Sequence, residues 1–117
     1  MSSEVTKYER KEDCPLTFAL TLIGSKWRLP IIWALWKGKT LRYNELKRRV
    51  DGITNMVLSQ SLKEMENQGL IVRKQYMEIP PRVEYSLTKA GENLIPSLES
   101  LAKWGKEMQN KRKEDQN

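Results

Sequence analysis

The most restrictive feature of this sequence is a pair of short β-type segments separated by two adjacent prolines. Residues 70–76 are rich in β-forming side chains, and residues 82–87 alternate between polar and apolar ones. Pro80 and Pro81 lie between the two segments and cannot donate backbone hydrogen bonds, so they cannot continue a central strand. The sequence therefore predicts a β-hairpin with a protruding loop.

Helical signals precede this hairpin. Pro15 suits the first position of one helix, because its missing N–H would be unpaired there in any case. Ser25 can cap the next helix, in which Pro30 should cost a hydrogen bond and cause a bend. A short strand at residues 40–42 and a short helix at residues 43–48 follow.

A longer helix comes next, with Thr54 as a good cap and Gly69 in the usual terminal place. Its apolar stripe consists of Leu58, Leu62 and Met65. After the hairpin, Thr88 can cap a last helix. Two consecutive short helices joined by a tight turn and followed by a hairpin are typical of a winged helix-turn-helix domain, so we predict a mainly α fold with a small β-hairpin.

The 117 residues fit one compact domain. We expect it at residues 14–109, between a flexible arm at 1–13 and a flexible tail at 110–117, because both ends are charged and poor in large apolar residues. The first and last helices carry more apolar surface than a small domain covers, which predicts a homodimer. The predicted interface residues are Leu16, Leu94, Leu98, Leu101, Trp104 and Met108.

Composition narrows the function. The chain has 21 Lys and Arg residues against 15 Asp and Glu residues, and this net charge of +6 favours a polyanionic partner. It has no His and one Cys, so we expect no metal, no cofactor and no enzymatic activity. The polar first 13 residues and the lack of a long apolar run predict a cytoplasmic protein.

The helix after Thr54 carries short amides and hydroxyls at its N-terminal end, the residue types that recognition helices present to base edges. An ordinary solvated helix face is the alternative interpretation. The predicted base contacts are Asn55, Met56, Ser59, Gln60 and Lys63. The predicted contacts to the DNA backbone or from the wing are Lys26, Lys39, Arg42, Thr54, Lys74 and Arg82.

Two motifs make the chain resemble the HxlR-type regulators. They are Ile-Gly-Ser-Lys-Trp at 23–27 and Pro-Pro-Arg-Val-Glu-Tyr-Ser-Leu-Thr at 80–88, within a resemblance that spans residues 14–105. It implies a bacterial or archaeal winged-helix homodimer, related in architecture to the MarR type, that represses or activates transcription. This chain departs from the family pattern at Asn55, Met56 and Ser61, which we interpret as operator-specific positions.

Cys14 has two interpretations. In family members a cysteine at this place senses quinones, aldehydes or disulfide stress, and a helix N-terminus lowers a thiol pKa. The alternative is a small packed residue. The four tryptophans could line a small-molecule pocket, although aromatic residues at helical spacing more often form the core. A small-molecule-responsive regulator without a cysteine switch and a winged-helix protein-interaction module therefore stay open as alternatives.

Overall fold

The computed structural model describes residues 14–116. Its elements, in chain order, are α1 (Pro15–Ile23), α2 (Arg28–Gly38), β1 (Thr40–Arg42), α3 (Tyr43–Arg49), α4 (Asn55–Asn67), β2 (Ile71–Tyr76), β3 (Arg82–Leu87), α5 (Lys89–Asn93) and α6 (Ile95–Gln116). The predicted winged helix-turn-helix order is confirmed. The first 13 residues, where the flexible arm was predicted, lie outside the described part of the chain.

The three strands form an antiparallel sheet in the order β1-β3-β2. Leu41 pairs with Tyr85, and Ile71 pairs with Leu87, which sets the register of the small sheet. Because side chains alternate between the two faces of a strand, these four residues share the face that turns towards the core. The hairpin closes at the Tyr76–Arg82 pair, and residues 77–81 form the wing loop.

The core lies between the sheet and helices α2, α4 and α6. Leu58, Leu62 and Met65 are at most 2% exposed, so the predicted stripe of α4 is confirmed as its buried face. Ile31 of α2 and Ile95 of α6 are equally buried. Each such side chain contributes about 1.5–3 kcal/mol relative to an exposed one, and together they fix α4 against the rest of the domain.

The start of α2 differs from the prediction. The helix begins at Arg28, with Trp27 as its N-cap, so Pro30 is its third residue. The first four N–H groups of a helix have no intrahelical partner, and the ring of Pro30 therefore costs no hydrogen bond. The N–H of Ile31 donates to the carbonyl of Trp27 at 3.1 Å. Ser25 lies in the preceding turn and not at the cap.

The last helix also differs, since it is divided in two at Leu94. The Thr88 hydroxyl accepts a hydrogen bond from the N–H of Gly91 and so caps the short α5. Pro96 explains the division, because a proline inside a helix removes one bond and crowds the carbonyl four residues earlier. No helix of the described chain is long and apolar enough to cross a membrane.

The long helix α6 continues to Gln116, through residues predicted to be a flexible tail. No glycine or proline follows Gly105, so nothing in the local sequence terminates the helix. Glu107 and Lys111 are spaced four residues apart, in the order that favours a helical ion pair. The charged composition that suggested disorder is therefore equally compatible with a solvated helix.

Candidate nucleic-acid interface

The N-terminus of α4 is built as predicted. Thr54 is in extended conformation, and its hydroxyl accepts a hydrogen bond from the N–H of Val57 at 3.2 Å. Its carbonyl accepts from the N–H of Leu58 at 2.9 Å. The cap fixes where the helix begins and leaves the positive end of the helix dipole next to the outward-facing side chains.

Three of the predicted base-contact residues share the outward face of α4. Met56, Gln60 and Lys63 are all exposed, and Met56 is 78% exposed. They recur at steps of three and four residues, on the side opposite the buried stripe. Asn55 and Ser59 are also exposed, but they lie on the flank that faces Tyr43 of α3. All five residues therefore lie on the exposed surface of α4, three on its outward face and two on the flank that faces α3.

A buried arginine anchors the other end of α4. Arg28 is 7% exposed, and its guanidinium donates to the carbonyl of Leu22 at 2.5 Å and to Oε1 of Gln68 at 2.7 Å. It also forms a hydrogen-bonded ion pair with Glu64. Arg28 thus joins the end of α1, the start of α2 and the last turns of α4, which fixes the orientation of the outward face.

Sequence reasoning missed this anchor. The Glu64 side chain is 44% exposed, yet it is paired with a buried arginine. One signal was present: Arg28 precedes Ile31 by three residues and Ile32 by four, so it lies on the apolar face of α2. An arginine in that register needs a buried partner.

The wing places Arg73 on the same side as α4. A cleft of about 390 Å³ lies between the hairpin, α3 and α4. It is lined by Tyr43, Ser59, Leu62, Lys63, Glu66, Arg73 and Tyr85. Strand alternation turns the neighbouring Lys74 to the other face, where it lies opposite Glu84 in the strand register. Arg73 was missed in the sequence, although it alternates in phase with the buried Ile71 and so could have been placed on this face.

Arg82 is partly enclosed at the base of the wing. Its Nη2 lies 3.3 Å from Oε1 of Glu78, its Nε lies 3.4 Å from Oε2 of Glu84, and its guanidinium lies 4.0 Å from the ring centroid of Tyr76. The side chain is 28% exposed. These contacts hold the loop that carries the fully exposed Ile79. A contact from Arg82 to DNA stays a prediction, and it would have to compete with two carboxylates.

The remaining predicted backbone contacts are spread more widely. Arg42 is exposed at the N-cap of α3, where its backbone N–H donates to Glu45 at 2.8 Å. Lys26 lies 4.8 Å from the ring centroid of Trp27, in the turn that borders α4 near Gln60. Lys39 lies 4.7 Å from the ring centroid of Trp36, beside a depression formed by residues of α2, β3 and α5. The surroundings of Lys39 therefore do not include α4.

Cys14 is a free cysteine at the N-cap of α1. The pKa of its thiol is lowered, chiefly by the side chain of Thr17 and then by the backbone N–H of Thr17. Both groups belong to the first turn of the helix, where donors favour the thiolate. The thiol is partly exposed, so it is accessible as well as acidified.

The predicted dimer residues fall into two groups. Leu16, Leu101, Trp104 and Met108 are 45–71% exposed, whereas Leu94 is partly buried and Leu98 is 7% exposed. Leu98 packs within its own protomer and leaves little surface for a partner. It forms the floor of an apolar groove of about 320 Å³. The groove is lined by Leu29, Pro30, Trp33, Leu98, Leu101 and Ala102.

The tryptophans do not form a shared pocket among the described residues. Trp27, Trp33 and Trp36 pack at the edge of the core, while Trp104 is 58% exposed on α6. The interpretation of these residues as core or interface is the one that their positions favour.

Comparisons with known proteins agree with this geometry. Residues 22–113 match the family model described as HxlR-like helix-turn-helix. An HTH-type transcriptional regulator from Halalkalibacterium halodurans is 45% identical over 104 residues, which cover 89% of this chain and 92% of the relative.

Solved structures give the same result. A regulator described as a MarR-family member from Enterococcus faecalis has a TM-score of 0.73 at 44% identity, covering 83% of this chain and 87% of that one. The oxidised form of the redox regulator HypR has a TM-score of 0.74 at 37% identity, covering 80% and 96%. These relatives are regulators and not enzymes. The chain is a transcriptional regulator with a helix-turn-helix DNA-binding fold, and it belongs to the HxlR-like family.

Proposed function

We propose that the chain binds a near-palindromic DNA operator as a homodimer, with α4 in the major groove and the hairpin as the wing. The observation that carries this proposal is the outward face of α4. Its exposed polar side chains are held at one end by the Thr54 cap and at the other by the buried Arg28. A rigid helix with amide, hydroxyl and ammonium groups on one exposed surface suits base reading, and Arg73 lines the cleft beside it, where we propose that it contacts a phosphate.

The exposed apolar surface of α1 supports a dimer. Within residues 14–116, which the structure describes, no residue of α1 is buried, and Leu16, Phe18 and Leu20 are 54–71% exposed. Exposed apolar patches of this kind mark interaction surfaces. The groove between α2 and α6 is apolar as well. A twofold dimer through these elements presents two copies of α4 to half-sites separated by about 34 Å, one turn of DNA.

The test is a fluorescence-polarisation titration with the DNA upstream of the chain's own gene and with a scrambled duplex, at two salt concentrations. We expect tighter, salt-dependent binding to the first duplex. Gln60→Ala should weaken binding to this duplex far more than to the scrambled one. Asn67→Ala, at the other end of the same helix, is the matched control and should change neither. Equal losses on both duplexes would remove Gln60 from base reading, and absence of binding to the upstream DNA would favour a protein-interaction module.

We further propose that oxidation of Cys14 regulates DNA binding. Its lowered pKa and exposure favour reaction, and the related HypR is a redox regulator. A diazene oxidant such as diamide would accept two electrons and two protons, becoming a hydrazine. The Cys14 thiol and either the partner's Cys14 thiol or a small thiol would become a disulfide.

The test of this switch repeats the titration with and without diamide. Oxidant should change the affinity of the wild-type chain, dithiothreitol should restore it, and Cys14→Ser should not respond. A wild-type chain whose DNA affinity is unchanged by diamide, with its thiol shown to be oxidised, would contradict the switch.

A further inference from the structure

The hydroxyl of Tyr43 is joined to the first turns of the recognition helix. It lies 3.0 Å from the backbone carbonyl of Asn55, 3.1 Å from Oδ1 of Asn55 and 3.1 Å from Oγ of Ser59. Asn55 and Ser59 are two of the residues that the sequence predicts as base contacts. The tyrosine therefore stands behind the surface that faces DNA and touches both of them.

The number of hydroxyl hydrogens determines which group donates and which accepts in this cluster. A tyrosine hydroxyl has one hydrogen to donate, and both Asn55 oxygens are acceptors, so this hydrogen goes to Asn55. The Tyr43 oxygen then accepts from the Ser59 hydroxyl, whose own hydrogen is thereby used. Ser59 keeps lone pairs for another donor. The side-chain Oδ1 of Asn55 faces the tyrosine, so its NH₂ group stays free to donate to another acceptor.

Tyr43 is itself firmly placed. It is the first residue of α3, it is partly buried, and its ring packs against the hydrophobic core. The first turn of α3 is capped by a hydrogen bond from the Arg42 N–H to the Glu45 side chain at 2.8 Å. The hydroxyl is thus a fixed point, whereas the exposed Asn55 and Ser59 side chains would otherwise rotate.

We propose that the Tyr43 hydroxyl determines base specificity by orienting these two side chains, with Asn55 as a hydrogen-bond donor and Ser59 as an acceptor towards DNA. This inference rests on the proposed function. Asn55 then reads acceptor edges, such as N7 and O6 of guanine or O4 of thymine. Ser59 reads an amino group on cytosine or adenine. Asn55 is then not available for bidentate hydrogen bonding to adenine, because that contact also requires its amide oxygen. Tyr43 is a positioning residue that acts through both.

The experiment is selection of preferred sequences from a duplex library with a randomised core of about 20 bp, matching two half-sites. Wild type, Tyr43→Phe and Tyr85→Phe are compared. Tyr43→Phe keeps the packed ring and removes the hydroxyl, and we expect about a tenfold loss of discrimination at one base pair of each half-site. Its urea midpoint and its salt dependence on scrambled DNA should equal those of wild type. Tyr85→Phe, in the same cleft, should keep the wild-type preference.

A second variant does not depend on Tyr43. Asn55→Asp keeps an acceptor for the tyrosine but removes the NH₂ group, so the preference for guanine or thymine at that base pair should be lost. Retention of the wild-type preference by Tyr43→Phe or by Asn55→Asp would overturn the inference while leaving the proposed function intact. A wild-type chain that enriches no sequence would overturn both.

Discussion

The structure makes a strong prediction about Arg28→Ala. The substitution removes the guanidinium that joins Leu22, Glu64 and Gln68 and leaves their acceptors without a donor. We expect the domain to lose stability and the recognition helix to lose its fixed orientation. The change therefore tests whether α4 is held by this network or by hydrophobic packing alone.

The magnitude follows from burial. Removing one partner of a buried ion pair costs about 3–5 kcal/mol, and hydrogen bonds to charged groups contribute about 1.5–3 kcal/mol each. The Arg28 side chain is 8% exposed, but that of Glu64 is 44% exposed, so water can replace part of what the carboxylate loses. We therefore expect the lower end of the range, about 3 kcal/mol of unfolding free energy.

The assay is urea denaturation at a fixed protein concentration, because the stability of a dimer depends on concentration. Arg48→Ala, an exposed arginine on α3, is the matched control and should change stability by less than about 0.5 kcal/mol. A double-mutant cycle with Glu64→Ala should give a coupling of about 1 kcal/mol or more. A loss below about 1 kcal/mol for Arg28→Ala, or additive effects in the cycle, would refute the reasoning.

Three further predictions concern the thiol, the wing and the dimer. Thr17→Ala removes the largest cause of the lowered Cys14 pKa, so the pH profile of iodoacetamide alkylation should shift to higher pH; an unchanged profile would contradict this. Arg73→Ala should flatten the salt dependence of DNA binding by about 0.9 per lost phosphate contact, or about 1.8 per dimer, while Lys113→Ala in the last turn of α6 should not; equal slopes for the two variants would refute the phosphate contact of Arg73. Leu101→Asp should convert a dimer to a monomer in light scattering, and a persistent dimer would place the interface elsewhere.

Local signals in the sequence were sufficient for the order of elements. Pro80 and Pro81 lack the N–H that a central strand needs, and a threonine such as Thr54 before an apolar helical stripe is a favoured helix cap. These effects act within four residues, so they do not depend on the rest of the chain. They predicted the hairpin, the helix after Thr54 and the buried face of that helix, and the structure agrees with each.

Boundaries were less certain because several starts and ends are locally permitted. Pro30 is unfavourable inside a helix and acceptable in its first turn, and the packing of Trp27 and Ile31 decides which case applies. The charged residues 110–116 are compatible with a tail or a solvated helix, since both leave them in water. Pro96 was the local signal for the break in the last helix, and the prediction did not use it.

The sequence by itself determined the winged-helix order and which face of α4 is buried and which is exposed, because hydrophobic periodicity and helix capping depend on neighbouring residues. Only the tertiary structure decided which polar groups meet across the fold. Arg28 and Glu64 are 36 positions apart, and Tyr43 and Ser59 are 16 apart. Polar side chains form such contacts when packing removes them from water and brings a partner within hydrogen-bond distance. No local sequence pattern identifies which residue that partner is.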